Sequence, residues 1–516
     1  MLFLAAENGA LPDGKVGGLG DVVRDLPIAL AARGWRPTVL TPAYGRFART
    51  PGAKRADEVE VAFSGSRRVV GLYELPSAGT NVRYCVLDHA LFEPRGRSLI
   101  YTDDASEGPF ATDAGKFAFF CAAAAVTLGD GVLAPPDIVH LHDWQTGMFL
   151  VLREFDPACV LLKKIRTVFT IHNIAMQGIR PLSGHDSSLA TWFPRLEVQE
   201  KMVSDPRWTD CINPMAAAIR LADGLNTVSP TYAREVLQPA VPARGYFGGE
   251  GLEQDLQEAS NSGRFTGILN GCNYPAGRSP KAGWGQLLEV MRAEKSGWIA
   301  SQHDLASTHY IADKRIAALP SLRPDVLVTS VGRIAAQKTQ LFREPTPGHA
   351  SALEDILTRI GPAGLFIMVG SGDPAYERFL AEIAATRENF LFLNGYSETL
   401  ALHLYGSGDL FLMPSTFEPC GISQMLAMRD GQLCVVHGVG GLRDTVTDGT
   451  TGFVFAGRTP AEQANHFAAT VGQALELRRS SAGRWRQMQK AAMSMRFTWE
   501  ASAAAYETGL YEIASA

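Results

Sequence analysis

Residues 13–33 restrict the fold more than any other stretch of the chain. They begin Asp13-Gly14-Lys15-Val16-Gly17-Gly18-Leu19-Gly20-Asp21. A short apolar run, Leu2-Phe3-Leu4-Ala5-Ala6, precedes the glycines, and Val22, Val23, Leu26, Ala29 and Leu30 follow at helical spacing. Strand, glycine loop, helix is the opening of a parallel α/β sheet. Such a loop lets an anion approach the backbone, and the helix start supplies unpaired N–H groups and the positive end of a dipole. Lys15 adds a full charge beside them. Asp21 falls in the first helical turn, where a carboxylate is stabilised or holds a sugar hydroxyl. The stretch is not a P-loop, since no Gly-Lys-Ser/Thr is present, and it lacks the third glycine of the dinucleotide fingerprint. Taken alone it also suits a plain glycine turn with a solvated lysine.

The same grammar repeats along the chain. Residues 36–42 read as a second strand, and residues 59–61, 68–74 and 81–87 as short strands. A long polar loop runs from Asp88 to Phe110, and a helix covers 116–128. The strand at 138–141 runs into His142-Asp143-Trp144, and the one at 168–171 into His172-Asn173. A strand ended by Ser229-Pro230 follows, then Gly267-Ile268-Leu269-Asn270-Gly271. A second set starts near Asp325. Its strands run into Arg333 and Lys338, into Asn394-Gly395-Tyr396, into Glu418-Pro419-Cys420-Gly421, and into Gly440-Gly441-Leu442-Arg443-Asp444, which echoes Gly17-Gly18-Leu19-Gly20-Asp21. Alternation of this kind implies parallel α/β sheets, with ligands bound beyond the carboxyl ends of strands. A His-Asp pair by itself also suits a local hydrogen-bonded turn. Arg333 and Lys338 alone suit two solvated cations, and an isolated Glu418 suits a helix N-terminus.

At 516 residues two or three domains are expected. A formal net charge of -5 argues against a general nucleic-acid binder. The seven cysteines show no CxxC spacing, so neither a zinc site nor a disulfide framework is indicated, and a reducing cytoplasm fits best. The N-terminus has no basic region of a signal peptide, and no segment is read as approaching the length of a membrane span.

The string Lys15 to Val23 after a short strand resembles the opening motif of the bacterial glycogen synthase and plant starch synthase family. So do His142-Asp143-Trp144, Thr170 through Gly178, and Phe417-Glu418-Pro419-Cys420-Gly421-Ile422-Ser423-Gln424. The resemblance implies a GT-B fold: two Rossmann-like domains facing a central cleft, at 1–273 and 274–495, and a C-terminal helix at 496–516 that crosses back to the first domain. It implies a retaining glucosyltransferase that extends an α-1,4-glucan from ADP-glucose without a metal or other cofactor. Glu418, His172, Asp143 and Lys15 take the catalytic roles. The leaving diphosphate falls to Lys15, the Gly17-Gly18 backbone, Arg333 and Lys338. The sugar falls to Asp143, His172, Asn173, Asn270 and Glu418, with Asp21 nearby. His172 acts as a base or only through its backbone. Tyr396 is a candidate to stack on the nucleotide base, and by itself also suits an ordinary amphipathic surface tyrosine. Cys420 and Gly421 belong to the substrate-binding string, Cys420 as a packing residue and not a nucleophile. Leu426 stands where sucrose-synthase-like relatives carry a second glutamate, which favours the starch and glycogen branch. The resemblance fails at 275–325 and weakens after Lys338. Three alternatives are a relative using UDP-glucose or a non-glucan acceptor, a non-catalytic glucan-binding protein, and a phosphorylase whose Schiff-base lysine would have to be Lys338.

Overall fold

Short apolar runs that alternate with helices favour parallel strands in the interior with helices over both faces. The computed structural model describes every residue except 78, 97–98, 103, 105–107, 275–282, 302–305 and 513–516. The chain divides into two units. One is Met1–Ala240 with Gly248–Gly271 and Trp499–Ala516, and the other is Val241–Phe247 with Cys272–Thr498.

The first unit carries β1 (Leu2–Leu4), β2 (Thr38–Pro42), β3 (Lys54–Phe63), β4 (Ser66–Leu75), β5 (Arg83–Asp88), β6 (Ile138–His142) and β7 (Arg166–Ile171). It also carries a two-residue pair, β8 (Arg180–Pro181) and β9 (Cys211–Ile212), then β10 (Gly224–Thr227) and β11 (Phe265–Gly267). Nine strands form one sheet in the order β11-β10-β7-β6-β1-β2-β5-β4-β3. Read from β5 to β11, the parallel strands follow the chain order 3-2-1-4-5-6-7. The order therefore reverses between β1 and β6. β1 and β6 are buried along their whole length, as strands covered on both faces must be.

Two expectations need correction here. The sheet is not wholly parallel, because β3 and β4 form an antiparallel hairpin. Ser64 and Gly65 turn it with φ of 50° and 72°, and a two-residue turn cannot make a parallel crossover. Also, the helix expected at 116–128 spans Ala111–Gly129, and its 19 residues are long and apolar enough to cross a membrane. In this unit it is a core helix. Phe117, Phe119 and Phe120 are fully buried, and Phe119 packs 5.1 Å from Phe63 and 5.2 Å from Phe92. Its one buried cation, Lys116, is paired with Asp113 at 2.7 Å and also donates to the Ile100 carbonyl at 2.6 Å.

The second unit carries β12 (Leu327–Val331), β13 (Leu365–Gly370), β14 (Phe390–Asn394), β15 (Leu410–Met413), β16 (Leu433–His437) and β17 (Gly452–Phe455). All are parallel, in the order β14-β13-β12-β15-β16-β17. This is again 3-2-1-4-5-6, with the reversal between β12 and β15. Residues 241–247, read from sequence as part of the first domain, belong to this unit. Phe247 packs on Phe417 with ring centroids 4.6 Å apart, and Gln463 donates to the Arg244 carbonyl. The divergent stretch after residue 274 contains the helices Trp284–Ser301 and Ser307–Ala318, while 275–282 and 302–305 lie outside the described residues.

The C-terminal helix Trp499–Tyr506 and the turn Glu507–Tyr511 belong to the first unit. Trp35 Nε1 donates to Glu507 Oε1 at 2.7 Å, and Asn226 Nδ2 donates to the Tyr506 hydroxyl at 2.9 Å. The buried Tyr511 hydroxyl reaches His140 Nδ1 at 2.8 Å, and His140 Nε2 meets Thr170 Oγ1 at 2.7 Å. Thr170 donates its own proton to Asn226 Oδ1 at 2.7 Å. Its oxygen must therefore accept from His140 Nε2–H, which leaves His140 Nδ1 to accept from Tyr511. Tyr511→Phe should strand that buried nitrogen and lower the stability of the first unit by about 1–3 kcal/mol. Urea unfolding followed by hydrogen exchange checks this: protection should fall in β6 and β7 and stay unchanged in β12–β17.

Candidate active site

Where strand order reverses, the loops of the two central strands leave in opposite directions and open a crevice at their carboxyl ends. In the first unit those strands are β1 and β6. The loop after β1 carries a residue that the sequence reading passed over. Glu7 is buried, and its Oε2 accepts from the amides of Val16 at 2.7 Å and Gly17 at 2.8 Å. Its Oε1 accepts from the Tyr101 hydroxyl at 2.8 Å. The glycine loop thus already contains an anion, supplied by the protein. The expectation that the Gly17 amide cradles a phosphate is corrected accordingly, while a Cβ on Gly18 would meet only open space. Gly20 has no such room, because a Cβ there would lie 3.0 Å from the Lys15 side chain and 3.1 Å from Glu7 Oε2. An ionisable residue directly after Ala5-Ala6 was the available signal for Glu7.

Lys15 Nζ lies 2.7 Å from Asp21 Oδ1, and Arg24 approaches the same carboxylate at 3.2 Å. Asp21 therefore aims Lys15.

After β6, Asp143 has φ 56° and ψ 178°, a conformation that side chains rarely adopt and that marks functional sites. Its Oδ1 accepts from the His172 amide at 2.7 Å, with the Asn173 amide at 3.4 Å. The strained turn after β6 thereby orders the loop after β7. Burial pushes the Asp143 carboxyl up to about 7, against the opposing pull of those amides. His172 Nε2 meets His142 Nδ1 at 2.9 Å. Burial holds His172 down to about 3 and His142 well below its ordinary value, so both rings are neutral. A ring so reluctant to take a proton is a poor general base. Asn173 Oδ1 accepts from the Ala175 amide at 3.1 Å, which fixes the turn. The side-chain oxygen of Asn270 is buried and has no partner among the described residues.

In the second unit the reversal falls between β12 and β15, and the candidate residues follow those strands. A recess there is lined by Gly332, Arg333, Lys338, Pro414 and Ser415. Arg333 is exposed and makes no hydrogen bond or ion pair among the described residues. Lys338 Nζ lies 2.8 Å from Glu418 Oε2, and the Ser415 hydroxyl donates to the same oxygen at 2.9 Å. Gln337 locks the two loops together, its carbonyl accepting from the Thr416 amide and its side chain donating to the Phe417 carbonyl, each at 2.8 Å.

The glycine echo now has a physical reason. Gly440 has φ 43°, and a Cβ on it would run into the Glu418 carbonyl, while one on Gly441 would run into Cys420. The Gly441 amide donates to the Glu418 carbonyl at 3.0 Å. Cys420 is buried as packing, and Gln424 donates to the carbonyls of Cys420 and Gly421 at 3.1 and 2.8 Å. Tyr396 stands apart on the loop after β14, 63% exposed. Among the described residues no three His, Cys, Asp or Glu cluster as metal ligands would. A guanidinium fork and an ammonium beyond one switch point are suited to a diphosphate, and a buried carboxylate beside them to a polyol.

The chain is similar to known proteins over nearly its whole length. The family model for the starch synthase catalytic domain matches residues 1–258, and that for glycosyl transferases group 1 matches residues 325–489. The chain is 33% identical to a glycogen synthase of Streptococcus gordonii, with 99% of each covered. It is 35% identical to a glycogen synthase of Anaeromyxobacter sp., with 98% of each covered. Its structure is similar to the catalytic domain of starch synthase IV from Arabidopsis thaliana bound to ADP and acarbose. The TM-score is 0.73 and the identity 27%, with 98% of each chain covered.

Two outcomes are expected. Between about pH 6.5 and 4, unfolding lets His140, His142 and His172 take up protons that burial denies them in the fold. Asp143 works the other way, since its raised carboxyl keeps a proton in the fold that the unfolded chain releases above 3.8. The net uptake of about two protons makes stability fall on acidification by roughly 3 kcal/mol per pH unit. Urea midpoints that stay level from pH 7 to 5 would contradict this. Separately, Glu7→Ala strands the Val16 and Gly17 amides and should cost the first unit about 1–3 kcal/mol, while Glu7→Gln, which keeps an acceptor oxygen, should recover most of it.

Proposed function

The chain belongs to the glycogen and starch synthase family and is a glucan-elongating glycosyltransferase, and from that premise we propose that it transfers glucose from ADP-glucose to an α-1,4-glucan with retention and without a metal. The observation that carries this reading is the arrangement after β12 and β15: an Arg333 with no partner among the described residues, beside a Lys338 that Glu418 and Ser415 hold in place. ADP as the nucleotude product is supported by the starch synthase IV catalytic domain, which binds ADP and acarbose.

In this mechanism the donor's diphosphate enters the fork of Arg333 and Lys338. Lys338 exchanges its contact with Glu418 for a phosphate oxygen, and Glu418 turns to the glucose hydroxyls. As the bond from the anomeric carbon to the phosphate oxygen breaks, negative charge grows on ADP. Arg333 and Lys338 stabilise that charge, and the family resemblance gives Lys15 a catalytic role. The acceptor 4-hydroxyl attacks on the face that the diphosphate leaves. A new C1–O4 bond forms, and the hydroxyl proton passes to the departing phosphate, so no covalent glycosyl-enzyme is needed. Asp143 orders the loop at His172 and Asn173, and the main chain there serves the sugar better than a neutral imidazole serves as a base. The partnerless Asn270 oxygen is suited to accept from a sugar hydroxyl. The absence of a disulfide among the described residues fits work in a reducing cytoplasm.

The test is release of nucleoside diphosphate from ADP-glucose and UDP-glucose, each with and without glycogen. Glycogen-dependent release from ADP-glucose is expected. Glu418→Ala and Lys15→Ala should each lower turnover roughly hundredfold or more at an unchanged unfolding midpoint. Near-normal turnover in both variants would sink the mechanism, and preference for UDP-glucose would change the donor.

A further inference from the structure

The stretch after residue 274, where the family pattern fails, is anchored on one short loop of its own unit. Helix Trp284–Ser301 and helix Ser307–Ala318 are tied to each other by the Lys295–Asp313 ion pair. They are tied to their surroundings by Trp284 Nε1 on the Pro320 carbonyl at 2.9 Å and Arg315 Nε on the Ala384 carbonyl at 2.6 Å. From this base they grip three consecutive residues, the last of β14 and the two after it. His309, buried, meets the Asn394 carbonyl through Nε2 at 3.0 Å, and a carbonyl only accepts, so Nε2 carries the proton. The indole of Trp298 covers Gly395 so closely that a Cβ there would lie 2.5 Å from the ring. Trp298 Nε1 then donates to the Tyr396 carbonyl at 3.2 Å. The main chain is fixed at 394, 395 and 396, and the part left exposed is the Tyr396 side chain.

We propose that Trp298 and His309 are positioning residues for the nucleotide base of the donor: they pre-set the loop that presents Tyr396. The inference rests on the reading of Tyr396 as the residue that stacks on that base. An exposed tyrosine on a glycine-containing loop would otherwise lose main-chain freedom on binding, and fixing the loop beforehand removes that cost from the affinity. Covering the edge strand β14 is the competing role for these helices. It predicts a loss of stability, with no selectivity between ligands that contain a base and ligands that do not.

The experiment titrates full-length protein with ADP and, separately, with inorganic pyrophosphate, for the wild type, Trp298→Ala and Gly395→Ala. Trp298→Ala should weaken ADP binding roughly tenfold, the scale of one aromatic contact, and leave pyrophosphate within twofold. Gly395→Ala, a milder probe that places a methyl where the indole sits, should act in the same direction. Adding Gly395→Ala to Trp298→Ala should then cost little more, because the obstructing ring is gone. Unchanged ADP affinity in both variants overturns the inference, and so does an equal loss for ADP and pyrophosphate. Failure of the functional reading would show separately, as a wild-type chain that transfers glucose from no donor, and the titrations would still decide the role of Trp298.

Discussion

Both units depend on one constraint. A parallel sheet whose strand order reverses must send two neighbouring loops apart, and the gap between them is the place where main-chain amides and side chains face solvent without blocking the sheet. In the first unit the reversal lies between β1 and β6, and in the second between β12 and β15. The loops after those four strands carry Lys15, Asp143, Arg333 and Glu418. Chemistry collects there because the buried strands on either side make these loop bases rigid.

Close backbone approach is the second requirement, and glycine meets it where a methyl would not fit. Gly440 and Gly441 let their turn rest on Glu418 and Cys420, and Gly395 admits the Trp298 indole. The same economy of space explains the buried polar groups. His140 is saturated in this way by partners from distant segments, Tyr511 and Thr170. The Asn270 oxygen has no partner among the described residues and lies just after β11, where a ligand can complete it.

Charge is arranged by the same logic of internal stand-ins. Glu7 occupies the amides of the glycine loop, Asp21 holds Lys15, and Glu418 holds Lys338. In each case a carboxylate of the chain fixes a donor or a cation in place. A cation already aimed needs little reorganisation when a more highly charged anion arrives, and this is the physical basis of electrostatic preorganisation.

Local pattern was enough for the sequence to determine the α/β class, the two strand-and-helix sets, the glycine turns that open helices at 18 and 440, and the residues that end each strand. These follow from periodicity and from glycine's lack of a side chain, both legible within a few residues. Tertiary structure alone decided which partners meet. Glu418 and Lys338 are 80 residues apart, Glu7 and Tyr101 are 94 apart, and Tyr511 and His140 are 371 apart. It also decided that the helix at 111–129 is core, that β3 and β4 run antiparallel, and that the divergent helices seize the Tyr396 loop. Hydrogen bonds and burial between distant segments depend on how strands and helices pack within each unit, and no periodicity in a linear chain records that.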